Sequence, residues 1–352
     1  MPGKPLPKIR ILFHYGAHGT AEDAKHIEKL LKEFKPHIYA GEGAMDNGEA
    51  EHNESIELAR KYARAKRELL SQMREGDDTF HEKEMEGIVN VPGLWMTTME
   101  KMGWLKKLAS RIHKKTASFY ANRWQTAFFN GNFERALKNY HHEEKAISRR
   151  SALRESQIVR NCEKIAREAI KRRPELAKEG EIRVYVKLGQ LHRATYAELK
   201  RRGTVQVERA YDYSPVIPAK GATIRALHRK KRQDILNPKY RLLLARDMIG
   251  DVIGEVSPTM ENTNLRLLAI DAITGNFSEE DVRGLCEEVG KAEAGTEEES
   301  RKVLREIVEK KFREKGIQPL TGPQEAMRIV RRHYGKIDFS KPFWLGRKQK
   351  SL

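Results

Sequence analysis

Cysteine is nearly absent: Cys162 and Cys286 are the two in 352 residues. That excludes a disulfide framework and a cysteine-based zinc site. A reducing, cytoplasmic setting is the expectation that follows. Long apolar runs are missing as well. No stretch approaches the roughly 20 residues that a membrane span requires, so no membrane partner is expected. The first ten residues hold three prolines with Lys4, Lys8 and Arg10. No apolar signal core follows them, and no secretion is expected. Zinc-finger spacing, an RNP motif and a Walker loop are lacking, as are internal repeats and low-complexity tracts. Hydrophobic residues make up 39% of the chain. This lies below the usual share of roughly 45–50% but suffices for a sizeable core at this length.

Charge is abundant. Lys plus Arg number 68 against 50 Asp plus Glu, a formal net charge of +18. Such a balance favours polyanionic partners and opposes self-association. The excess is local. Residues 101–150 carry 12 Lys/Arg against 3 acids, and residues 225–246 carry eight against Asp234 alone. Either segment is a candidate surface for phosphate, since Lys and Arg contacts confer sequence-independent affinity.

The apolar run Ile9 to Tyr15, ending at Gly16, reads as a buried strand. Thr20 is a helix N-cap, Ile27, Leu30, Leu31 and Phe34 form an apolar stripe, and Pro36 stops that helix. His37 to Gly41 is a second strand, which makes a βαβ unit with parallel strands. Residues 47–150 read as a helical insertion walling a site, with a charged helix over 49–75. Ser151 to Arg172 is a helix, Glu181 to Leu188 a third strand, Tyr196 to Arg201 a short helix and Thr204 to Arg209 a fourth strand. Beyond Pro215 the pattern is helical. The expected fold is α/β: a central, largely parallel sheet over residues 1–215, with the insertion, followed by a helical region over 216–352.

Four places could carry chemistry. In His14-Tyr15-Gly16-Ala17-His18, two histidines flank a glycine turn at a strand end, where proton transfer or metal ligation is feasible. Glu42 sits between two glycines at the end of the second strand. On the helix after residue 151, Glu155 falls on the same stripe as Ile158, Cys162 and Ile165, with Arg154 and Asn161 at its edge. A carboxylate there needs a partner from elsewhere, since burying it alone costs several kcal/mol, roughly. His192 follows Gly189 directly after the third strand, a second histidine at a strand's carboxyl end. The alternative for each is an ordinary turn, capping or solvated residue.

In that order these motifs resemble a known superfamily. His18-Gly19-Thr20 with Glu22 is similar to a motif of the erythromycin esterase family. Arg154-Glu155-x-Gln157-Ile158-x-x-Asn161 is similar to that family's Arg-Glu helix. Gly189-x-x-His192 resembles the second histidine motif of the wider group that includes TraB/TIKI and haem-binding ChaN-like proteins. The resemblance covers scattered motifs over roughly residues 9–210. It implies an α/β core whose site holds His18, Glu42, Arg154, Glu155 and His192. The activity it implies is hydrolysis of an ester or amide in a small molecule or peptide, by water activated by His and Glu, with or without a divalent metal. Were a metal present, His18, Glu42 and His192 would hold it. The chain departs from the pattern where His14-Tyr15 replaces an acidic residue, so His14, Tyr15 and Asn161 are expected to contact substrate. Two alternatives stand beside this: a polyanion-binding protein that no longer catalyses, and a haem or metal carrier using His14, Tyr15 or His18.

Overall fold

The computed structural model describes residues 7–16, 21–41, 89–90, 104–172, 174–189, 192–212, 220–229, 234–260, 263–292, 297–339 and 342–345. The expected charged helix at 49–75, and His18 and Glu42, lie outside them.

Strand β1 (Lys8–Gly16) leads into helix α1 (Ala21–Phe34), then β2 (Ile38–Gly41) and the two-residue β3 (Val89–Asn90). Helices α2 (Trp104–Phe129) and α3 (Phe133–Arg172) follow, with a 3-10 turn at Pro174–Lys178. After β4 (Glu181–Gly189), α4 (Ala194–Arg202) and β5 (Gln206–Tyr211) come six more helices. These are α5 (Lys220–Arg229), α6 (Pro238–Val256), α7 (Thr263–Thr274), α8 (Glu279–Lys291), α9 (Glu297–Glu314) and α10 (Pro323–Tyr334). The short β6 (Phe343–Leu345) closes the description. The fold is α/β, with a mostly parallel sheet and extensive helical regions.

The strands are ordered β3-β2-β4-β1-β5-β6. All pairings are parallel except β5 with β6. Period-2 alternation divides the side chains between two layers. Ile11, Phe13 and Tyr15 of β1 join Val184, Val186 and Leu188 of β4 on one face, against Ile158, Cys162 and Ile165 of α3 and Leu199 of α4. Leu12 and Tyr185 point the other way, against Leu30, Leu31 and Phe34 of α1. The α1 stripe read from the sequence is the one that packs. The helix ends one residue before Lys35, which adopts a left-handed φ of 48° ahead of Pro36. Arg183 donates to its carbonyl at 2.7 Å.

A separate apolar core fills the helical region. Trp124 and Phe128 of α2, Phe133, Leu137 and Tyr140 of α3, and Leu244, Met248 and Ile249 of α6 belong to it. The turn between α2 and α3 lies against α8: a Cβ built on Gly290 would sit 2.4 Å from the Gly131 backbone, so the two segments approach this closely only because residue 290 is glycine. Helix α3 spans 40 residues, about 60 Å, and serves both cores, its first half in the helical one and its last turns on the sheet.

Candidate active site at the switch point of the sheet

Gly16 and Gly189, the last residues of β1 and β4, are register partners. From these adjacent ends the chain departs in opposite directions. After β1 it crosses the α1 face to β2, and after β4 it crosses the other face through α4 to β5. In open α/β sheets such a divergence opens the crevice where ligands bind, beyond the carboxyl ends of the strands. Two clusters of buried polar side chains flank this point, one on each face.

On the α3 face, His192 Nδ1 lies 3.5 Å from Glu155 Oε1, and both side chains are almost fully buried. Glu155 reaches that position because it shares the inward stripe of α3 with Ile158, Cys162 and Ile165. His192 arrives there in the short turn between Gly189 and α4. Tyr15 is fully buried nearby, 5.5 Å from the Tyr211 ring. Burial, with the neighbouring Tyr211 and Glu155, pushes its phenol well above its ordinary value. Arg154 is half-buried. Burial and the Arg154 charge together lower the Arg150 guanidinium. Asn161 accepts from Gln157 Nε2 at 3.3 Å along the helix.

On the α1 face, Asp212 is the hub. Its Oδ1 accepts from His14 Nε2 at 2.6 Å and lies 3.2 Å from His26 Nδ1 and 3.8 Å from Lys187 Nζ. Asn264 of α7 donates to Oδ2 at 3.3 Å. All five side chains are buried. Tyr185 Oη stands 2.6 Å from His14 Nδ1. Burial, with the Lys187 charge beside it, lowers His14 to about 4. The neutral ring therefore donates through Nε2 and accepts the Tyr185 hydroxyl at Nδ1. Burial acts to raise the Asp212 carboxyl, but hydrogen bonds from His14 and His26 and the Lys187 charge outweigh it and hold the group well below its ordinary value. Gly16 has no side chain because there is no room for one: an added Cβ would sit 1.8 Å from Asp212 Oδ2.

Strand alternation thus separates two neighbours that the sequence reading placed in one site. Tyr15 faces the Glu155–His192 pair, and His14 faces Asp212 through the sheet. Asp212, His26, Lys187 and Tyr185 had not been singled out. His26 was legible, since it lies four residues before Leu30 on the α1 stripe. Asp212 was hidden because β5 runs two residues past the expected end at Arg209, which places an aspartate at its carboxyl terminus.

The chain matches no family model, no curated protein and no solved structure.

Among the described residues, His14, His26 and Asp212 form the one set with metal-ligand composition, their donor atoms within 4.8 Å of one another. The surroundings do not suit a dication. Lys187 already neutralises Asp212, and a further double charge in a buried site would be uncompensated. His26 Nδ1 lies 3.2 Å from Asp212 Oδ1 and Nε2 3.0 Å from the Phe339 carbonyl, so a metal would have to displace one of these contacts to reach the ring. The cluster acts as an ion-pair hub joining β1, β4, β5, α1 and α7. The buried Glu155–His192 pair is arranged differently. A carboxylate beside one imidazole nitrogen, here at 3.5 Å, is the arrangement that orients a ring for proton transfer.

Proposed function

We propose that the protein is a hydrolase in which His192, oriented by Glu155, takes the proton from a water that attacks an ester or amide carbonyl. The observation carrying this reading is the position of the pair. Its two residues, one from α3 and one from the turn after β4, meet, buried, at the carboxyl end of β4 where the sheet connections diverge. Arg154, one residue from Glu155, supplies positive charge for the developing oxyanion. Tyr15 forms part of the apolar floor beneath the reacting group. The resemblance to the erythromycin esterase and TIKI group adds His18 and Glu42 to the same site and supports the same reaction class.

A panel of esters, lactones and peptides tests this. His192→Ala is expected to lower kcat by about 100-fold or more on any substrate turned over, the ordinary yield of a general base. Glu155→Gln should reduce kcat with little change in KM, because Glu155 acts through the imidazole. Circular dichroism checks that both variants remain folded. Undiminished turnover by a folded His192→Ala protein would reject the mechanism.

A further inference from the structure

Helix α2 carries an apolar surface that no other described element covers. Trp104, Leu105, Leu108, Ile112 and Phe119 are 72%, 63%, 46%, 52% and 52% exposed. At about 100° per residue these five positions fall within roughly 100° of arc, forming a single ridge. The opposite side of the helix, through Ser110, Trp124 and Phe128, is buried. The ridge is therefore convex and stands on one helix. Contiguous exposed apolar surface of this kind marks an interaction site.

The charges on the helix narrow the partner. Its 26 residues include Lys106, Lys107, Arg111, Lys114, Lys115 and Arg123 and no Asp or Glu. Arg111 and Lys115 are exposed along one edge of the ridge. Arg123 is exposed at the other edge, its guanidinium 4.7 Å over the Phe119 ring. A second copy of the chain docking face to face would set these cations against their like. Nucleic acid would meet the cations but leave Leu105, Leu108 and Ile112 unused, since aliphatic side chains neither stack on bases nor bond to phosphate. A bilayer surface takes both. Apolar side chains enter the acyl boundary, and flanking Lys and Arg extend to anionic headgroups. A soft lipid layer also moulds to a convex ridge, where a protein partner would need a matching groove.

We propose that the ridge on α2 docks the protein on an anionic lipid surface. This contact is peripheral and needs no spanning helix; among the described residues none is long and apolar enough to cross a membrane. The proposal is independent of the hydrolase reading.

Co-sedimentation of the full chain with vesicles tests it. Phosphatidylcholine vesicles containing phosphatidylserine are expected to pellet the protein, and pure phosphatidylcholine vesicles are not. Leu108→Ser combined with Ile112→Ser should weaken the partition by about tenfold or more, from the lost methylene burial alone. Arg111→Glu combined with Lys115→Glu should weaken it through charge and keep every apolar side chain of the ridge. Both changes lie at exposed positions, and unchanged melting temperatures verify the fold. Failure to pellet with anionic vesicles overturns the proposal, as does vesicle binding unaffected by the Leu108 and Ile112 changes. Tight binding of a single-stranded oligonucleotide without vesicle binding assigns the face to nucleic acid instead.

Discussion

His14 exchanges protons differently in the folded and unfolded chain. Burial and Lys187 bring it to about 4 in the native state, against an ordinary value of 6.5. Between those values the unfolded chain binds the extra proton and the native one does not, so stability rises with pH across the interval and is lost as pH falls from 6.5 to about 4. The full contribution is about 3 kcal/mol at most. His141 and His228 are lowered to about 4, first by burial, and add to the same slope. Asp212 acts in a lower window, because its depressed carboxyl costs stability only once pH falls below its ordinary value of 3.8. His14→Gln is therefore expected to flatten, but not abolish, the decline in melting temperature between pH 6.5 and 4. An unchanged slope would mean that His14 is charged in the native protein. At this scale the sequence showed which residues could carry chemistry, and Glu155 on an apolar stripe was its clearest signal. It could not show that His14 and Tyr15, adjacent in the chain, serve different clusters, because that depends on which distant polar side chains reach each face at the carboxyl end of β1.

Between elements, α3 and α6 meet through acids. Tyr140 Oη lies 2.8 Å from Asp247 Oδ2 and 3.2 Å from Asp251 Oδ2. Burial, then the Asp247 charge, raises Asp251 to about 7. One hydroxyl proton cannot serve two carboxylates. Below about pH 7, where Asp251 holds a proton, Tyr140 can donate to Asp247 while the Asp251 carboxyl donates to the Tyr140 oxygen. The linkage here is opposite in sign to that of His14. Between 3.8 and about 7 the native state holds the proton and the unfolded state does not, so this group costs stability as pH rises. Asp251→Asn, which keeps a donor without the charge, should raise the melting temperature, and by more at about pH 8 than at about pH 5. An equal or opposite change would refute the protonated carboxyl. The helices themselves were readable from period and caps. Ser278 and Asp281 form a capping box at the start of α8, and Asn237 caps α6 through the amides of Lys239 and Tyr240. Helix α3 is longer than its expected segment, 151–172. The preceding residues, from Phe133, are equally periodic but face a different core, so the apolar stripe changes partners midway.

For the whole molecule, that change of partner ties two cores into one structure. Leu137 and Tyr140 belong to the helical core, and Ile158, Cys162 and Ile165 belong to the sheet. Between them the inward side of α3 is polar, with His141, Glu144, Ser148, Ser151 and Glu155 all buried. His141 and His228 each lie 3.0 Å from the Tyr240 hydroxyl within this band. Asn264 on Asp212 and the Phe339 carbonyl on His26 make further bonds between the helical region and the sheet. Leu137→Ala and Val184→Ala, one in each core, are each expected to cost about 2–4 kcal/mol. Each should lower one common unfolding transition. Two separable transitions in calorimetry would show that the cores fold independently.

Local pattern was enough to establish the α/β class, the parallel βαβ beginning, the α1 stripe, the inward placement of Glu155 and the strong positive charge. Each follows from residue periodicity or from composition, which a chain carries before it folds. The Asp212 hub, the pairing of His192 with Glu155, the antiparallel β6 at the edge of β5 and the exposed ridge on α2 depended on the fold. Asp212 and His14 are 198 positions apart, and no local period records that they meet. The apolar residues of α2 look alike in sequence. Trp124 and Phe128 became core while Trp104 and Phe119 remained in water, because only tertiary packing decides which side of a helix acquires a neighbour.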